Sequence, residues 1–357
     1  MCSSDLIEIF KIFFKLGLLS FGGPAAHIAL MHQLFVDDKK WLDDKHFLDL
    51  MSLSSVIPGP SSTELALLIG RHRGGKLGLW VAGIAFILPA LILVLTLAFL
   101  YLQFGNLVIV QSMLDVIGPV VVSIIMFAVY QLSKKVIKSF NAIFYILFAL
   151  ILSFFVNQVF VFLIIGLSAF LYQFFFRKTQ MKEGMSILLI FLLFFQIGAT
   201  LYGSGYVLTS YLDTLFVEPG YLTFQQMLDG VAVGQITPGP VFTTAGFLGY
   251  VLSGNILGGL VGAIGIFLPG FLLITFFYNG FKYLRDVSWF RYILNALNYA
   301  AIALMISVVI QLGLSFEVTL WKYVVSLIAF IALIYKFLTP TKLIFISAVI
   351  GIIVTII

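Results

Sequence analysis

The stretch VIPGPSSTELALLIGRHRGGKLGLWVAGIAFILP at 56–89 decides the fold, because QITPGPVFTTAGFLGYVLSGNILGGLVGAIGIFLP at 235–269 repeats its plan. Pro58, Pro60 and Pro89 each stand 180 residues before Pro238, Pro240 and Pro269. Proline lacks a backbone donor and clashes with the preceding turn, so Pro-Gly-Pro cannot continue a regular helix. Both blocks interrupt apolar stretches, 48–70 and 228–252. At membrane depth such a break persists only where protein or a water-filled cavity surrounds it. Each stretch reads as a helical hairpin, either re-entrant or a short crossing pair.

The repetition extends outward. FFKLGLLSFGG at 13–23 answers FFQIGATLYGS at 194–204, and WLDDKHFLDL at 41–50 answers YLTFQQMLDG at 221–230. Four matched blocks in one order divide the chain into two repeats, 1–180 and 181–357. Five spans in each half make the second half enter the membrane in the opposite sense. The charges agree: RHRGGK at 71–76 follows the first hairpin, whereas SGN at 253–255, after the second, is uncharged. This is the inverted-repeat plan of a secondary transporter, with a repeat-built channel as its rival.

Composition sets the class. Of 357 residues, 62% are hydrophobic and 10% charged, and the mean hydropathy is +1.15. So few charges cannot cover a soluble surface, and disorder needs low hydrophobicity. The chain reads as an all-α polytopic membrane protein with about ten transmembrane helices, in a bacterial inner or plasma membrane. The expected spans are 6–35, 79–102, 113–133, 141–156, 159–176, 185–211, 256–279, 292–311, 318–335 and 342–357. The single cysteine, Cys2, leaves no disulfide framework or thiolate cluster. Cations cluster between apolar runs, at 71–76, 134–138, 177–182, 282–291 and 336–342, so the net charge of +5 sets orientation rather than attracting nucleic acid. Those clusters mark the cytoplasmic side, which places both termini outside and Lys11 and Lys15 within the first helix. No nucleotide-binding loop or metal-ligand spacing occurs, and no cofactor or enzymatic chemistry is expected.

The polar residues beside the breaks are the candidate site. A helix starting after each Pro-Gly-Pro offers free N–H groups, partial positive charge and the hydroxyls of Ser61, Ser62, Thr63, Thr243 and Thr244. Two such starts facing one another would hold an anion; the bland reading has each hydroxyl bonding its own helix carbonyls. Glu64, in an apolar run, is the candidate for proton coupling, or else pairs with Arg71 or Lys15. Lys15 contacts the ligand or snorkels outward. Arg71 and Arg73 retain the loop in the cytoplasm and attract an anion to its mouth. His27 and His72 are the candidates for titration near neutral pH. Asp49 and Asp229 match across the repeat, as do Trp41 and Tyr221.

FFKLGLLSFGGPAAHI at 13–28, WLDDKHF at 41–47, IPGPSSTELALLIG at 57–70, QITPGPVFTTAGFLGY at 235–250 and IFLPG at 266–270 resemble the chromate transporter family. The resemblance covers both halves and is most specific in SFGGP followed by PGP. It implies chromate export from the cytoplasm, with sulfate as a related or competing oxyanion, and suggests coupling to protons; it leaves a homodimer open. Carried over by position, the motif points to Phe21, Gly22, Gly23, Pro24, His27, Pro58, Gly59 and Pro60. In the second half it points to Gly203, Gly205, Tyr206, Pro238, Gly239, Pro240, Thr243 and Thr244. The chain departs from the pattern at Glu64, where family members often carry glutamine, and at HQLFVDDKK (32–40), where they carry an Arg-rich loop. Uptake of sulfate or another oxyanion, a passive anion channel and a membrane scaffold are the competing functions.

Overall fold

The computed structural model describes residues 3–20, 24–137, 185–201, 207–284 and 320–356, with 143, 146–147, 150, 299, 302–303 and 305–310 in between. Among them there is helix and no strand. The helices are α1 (Ser3–Leu19), α2 (Pro24–His32), α3 (Asp44–Ser54), α4 (Ser61–Phe104), α5 (Val108–Val136), α6 (Ile187–Thr200), α7 (Leu208–Leu212), α8 (Phe224–Ile236), α9 (Thr244–Ser253), α10 (Ile256–Leu284), α11 (Leu320–Ile334) and α12 (Pro340–Ile356). Three apolar stretches, within α4, α5 and α10, are long enough to cross a bilayer, and four shorter apolar helices join them. The spans expected at 141–156, 159–176 and 292–311 fall largely outside the described residues. Large apolar side chains such as Ile92, Ile264, Phe276 and Val349 stand exposed along these helices, as a lipid-facing surface requires.

Helix α4 is bent back on itself. Gly74 (φ −133°, ψ 24°) and Gly75 (φ 58°, ψ −151°) leave helical geometry, and Gly70 and Gly78 sit so close across the bend that a methyl on either would overlap the other's carbonyl. The first arm of α4 runs beside α3, and the rings of His46 and His72 at their outer ends lie 6.2 Å apart. The hairpin therefore enters and leaves at one end, the basic end marked by Arg71, Arg73 and Lys76. An 11-residue arm is only about 17 Å long, shorter than the hydrocarbon core of a bilayer. In the second hairpin a methyl on Gly230 would meet Leu248 and one on Gly234 would meet Thr244, so α8 and α9 also run antiparallel. The outer end of α8 shares a cavity with Gly105 and Asn106, which join α4 to α5 at the end opposite the basic one.

The first segment corrects the sequence reading. Glu8 lies 3.7 Å from both Lys39 and Arg73, so α1 begins at the basic end, and α2 leads the chain back to it. One span over 6–35, with an outer N-terminus, becomes two helices that dip in and return. Pro24 heads α2, where a proline's missing N–H costs nothing, and this start marks the break. Lys11 and Lys15 do lie within α1, with exposed side chains.

Positions 180 apart adopt matching local structure with different side chains. Asp43 caps α3 by accepting the His46 N–H, and Thr223 caps α8 by accepting the Gln226 N–H. The first bond, then the His46 ring, hold the Asp43 carboxyl below its usual range. A π-helical turn precedes each cap, Gln33–Asp38 and Asp213–Val217. Helix α1 crosses the second arm of α4 so tightly that a Cβ on Gly17 would overlap the Phe86 carbonyl; Gly198 of α6 stands in the same relation to Ile266 of α10. Such crossings hold helices together in lipid, where no hydrophobic force does so.

Gly17→Val is therefore expected to cost about 1–3 kcal/mol by overpacking, seen as a lower melting temperature in detergent. Gly280→Ala, with nothing within 4 Å of the added methyl, should melt like the parent.

Candidate functional site

The two Pro-Gly-Pro breaks are built into opposite halves. Gly59 and Gly239 adopt φ values of +123° and +95°, which disfavour any side chain. The Gly59 N–H donates to the Leu201 carbonyl at 2.8 Å, and the Gly239 N–H donates to the Ser20 carbonyl at 2.8 Å. Ser20 and Leu201 follow the last residues of α1 and α6, where helix carbonyls lack intrahelical donors. Each half's broken hairpin thus satisfies the interrupted opening helix of the other half. Pro58, Gly59, Pro60, Pro238, Gly239 and Pro240 are all buried.

Around the first break, His27 of α2 reaches two partners. Its Nε2 lies 3.0 Å from the Ser20 carbonyl oxygen and its Nδ1 lies 3.3 Å from Ser62 Oγ. The Ser20 carbonyl therefore receives both the Gly239 N–H and the His27 ring. Thr63 Oγ1 and Glu64 Oε2 are buried without a hydrogen-bond partner. The Glu64 carboxyl fills the space beside Gly59 and Gly270, where an added methyl at either glycine would meet Oε1. It thus lies between the first break and the residue after Pro269, one from each half.

Several sequence expectations change here. Glu64 pairs with neither proposed cation. Arg71 donates to the Ile274 and Thr275 carbonyls of α10 at 2.9 and 3.3 Å and stacks 4.5 Å above Tyr278; it ties the first hairpin to the second half. Lys15 is exposed on α1. Thr243 Oγ1 donates to the Pro240 carbonyl at 2.8 Å and Thr244 Oγ1 to the Val241 carbonyl at 2.7 Å, so both hydroxyls serve their own turn. Ser61 is half-buried at the head of α4. Phe21, Gly22, Gly23, Gly203, Gly205 and Tyr206 lie outside the described residues. Ser62, Thr63, Thr243 and Thr244 are all buried, so the centre is closed to solvent in this conformation. Among the described residues no His, Cys, Asp and Glu cluster could hold a metal ion.

Asp49 and Asp229 match in sequence and differ in setting. Asp49 is exposed. Asp229 is buried, accepting from Tyr101 Oη at 2.8 Å and from Gln225 Nε2 at 2.8 Å. Tyr101 ends the second arm of α4, so this bond joins the halves at the end opposite Arg71. Both residues line a polar cavity of about 660 Å³ with Asn106, Gln111, Ser112 and Gln226. Sequence reasoning missed Tyr101: it stands in an apolar run with no neighbouring signal.

The chromate transporter family description matches residues 7–172 and again residues 188–352. The chain belongs to the chromate transporter family. Chromate transporter relatives cover nearly all of it. A chromate transport protein of Cupriavidus metallidurans is 30% identical over 93% of this chain and 88% of its own length. A probable chromate transport protein of Synechococcus elongatus is 29% identical over 98% and 95%. An uncharacterized transporter of Methanocaldococcus jannaschii is 27% identical over 97% and 93%. No solved structure matches the chain. The protein is a membrane protein of a transport family.

Tyr101→Phe leaves Asp229 with one donor fewer at a buried carboxylate, a loss of about 1–3 kcal/mol. A double-mutant cycle of Tyr101→Phe with Asp229→Asn, read by melting temperature in detergent, should show non-additivity of about 1 kcal/mol or more.

Proposed function

We propose that this chain is a secondary transporter that carries chromate out of the cytoplasm, coupled to protons, with sulfate as a related or competing oxyanion. Relatives named as chromate transport proteins over nearly the whole chain support the substrate class. The observation that carries the mechanism is the reciprocal pair of bonds, Gly59 to Leu201 and Gly239 to Ser20. Two repeats, 1–180 and 181–357, inserted in opposite senses would place their breaks in this exchanged arrangement. The two separate matches to one family description support that reading. So does the opening of the first hairpin at the basic end and of the second at the other. Arginine and lysine at 71–76 assign the basic end to the cytoplasm.

The anion would sit at the helix starts after the breaks, held by backbone N–H groups and by Ser62 and Thr63, with Thr243 and Thr244 contributing after rotating away from their own turns. Alternating access then needs the halves to rock about this centre. Arg71 with α10 closes the basic end, Tyr101 with Asp229 closes the other, and one closure opens at a time. Glu64 lies between the halves without an ion pair. Protonated, it is neutral and tolerates closure; ionised, it demands water or a partner and favours opening. Its proton would thereby bias the rocking.

Chromate uptake into inside-out vesicles should be saturable and should rise with an imposed proton gradient. Absence of saturable flux for chromate, sulfate and molybdate would sink the proposal, and flux that never runs uphill would identify a channel. Glu64→Gln should weaken the gradient's effect about tenfold, or about 1.4 kcal/mol, while keeping downhill flux.

A further inference from the structure

The bonds around His27 fix which atoms carry protons, and this has a consequence for the anion site. The Ser20 carbonyl can only accept, so His27 Nε2 must be the protonated nitrogen. In the neutral ring Nδ1 is then an acceptor, and the Ser62 hydroxyl donates to it across 3.3 Å. The proton of Ser62, a hydroxyl at the helix start after the first break, therefore points at the histidine and is withheld from any anion.

Resting on the oxyanion reading above, we propose that His27 is a positioning residue that switches the Ser62 hydroxyl between two partners. A proton arriving at Nδ1 reverses the bond: Nδ1–H donates to Ser62 Oγ, and the Ser62 proton turns outward to an oxyanion at the helix start. No covalent bond is made or broken apart from this proton's attachment to nitrogen. The imidazolium also brings one positive charge within a hydroxyl's reach of the anion. Anion and proton thus each favour the binding of the other, by the same factor.

The surroundings leave the switch to these groups. The Phe86 ring meets His27 edge-on at 5.8 Å and carries no charge. Helix α4 contributes Glu64, two residues beyond Ser62, and then Arg71, which is held by α10. Helix α1 contributes Lys11 and Lys15, both exposed, and Glu8 at its outer end. His32, at the far end of α2, is turned to Asp44. The second half supplies the Gly239 N–H through the shared Ser20 carbonyl, so the tautomer is fixed by a bond that spans both halves.

The test is equilibrium binding of radiolabelled chromate to the purified protein from about pH 8 down to about pH 4, low enough to charge an imidazole buried as His27 is. It is run in a Glu64→Gln background to remove that carboxyl's titration. Affinity should rise about tenfold toward acid pH, after the same chromate speciation is cancelled by comparison with His27→Gln. In His27→Gln only the shallower slope set by chromate's own protonation should remain, and Ser62→Ala should bind weakly at every pH whereas Ser62→Thr restores the steeper slope. Nitrogen-15 spectra of the histidines should show the Nε2–H tautomer for the signal lost in His27→Gln. An unchanged slope in His27→Gln, or the opposite tautomer, overturns the switch and leaves oxyanion transport standing. No chromate binding by the parent at any pH overturns the transport reading itself.

Discussion

Two backbone N–H groups, at Gly59 and Gly239, have to be satisfied where no water competes, and the fold depends on how this is done. A buried unpaired amide costs about as much as a lost hydrogen bond. Neither hairpin provides the acceptor from its own half. The Leu201 and Ser20 carbonyls do, across the interface. The same two bonds complete the ends of α1 and α6, where carbonyls run out of intrahelical donors. Separating the halves at this point would expose four backbone groups together. In the proposed rocking, motion between the halves would pivot here and open at the Arg71 and Tyr101 contacts near the ends.

The Pro-Gly-Pro spacing made the broken hairpins legible, because proline at fixed positions in an apolar run has few structural outcomes. The short length of their arms was not legible, since hydropathy reads the same for a hairpin that turns back and a short pair that crosses. The apolar content of 6–35 concealed a turn for the same reason. Only Glu8, Lys39 and Arg73 coming together reveals that the chain returns. Charge pairing was the least legible level. Arg71 was a plausible partner for Glu64, seven residues and two turns along one helix, yet it finds carbonyls on α10 instead. A guanidinium has five donors, and a neighbouring helix can offer carbonyl acceptors that a sequence cannot show.

The hydroxyls divide in an instructive way. Thr243 and Thr244 bond within their own turn, as short polar side chains at helix starts commonly do. Their counterparts 180 residues earlier are Thr63 and Glu64, and both have a buried polar atom with no partner. Ser62, whose counterpart is Phe242, is engaged with His27. The unmet polar capacity is thus concentrated at one of two matched helix starts.

That asymmetry is what a rocking device needs. If matched positions carried identical side chains, the two end states would be mirror equivalents of equal energy, and no proton or ion could favour one. Here the backbone frame is matched while the chemistry is not. His27, Ser62, Glu64 and Arg71 lie in the first half, facing Leu208, Phe242, Thr244 and Val251 at corresponding positions in the second. Tyr101, answered by Phe281, places the other closing bond on the first half's helix as well. A ligand shifts an equilibrium only by its differential affinity for the two states. Under the proposed transport, His27 and Glu64 of the first half would supply such a difference to protons, and helix starts present in both halves would give the anion a place to bind in either state.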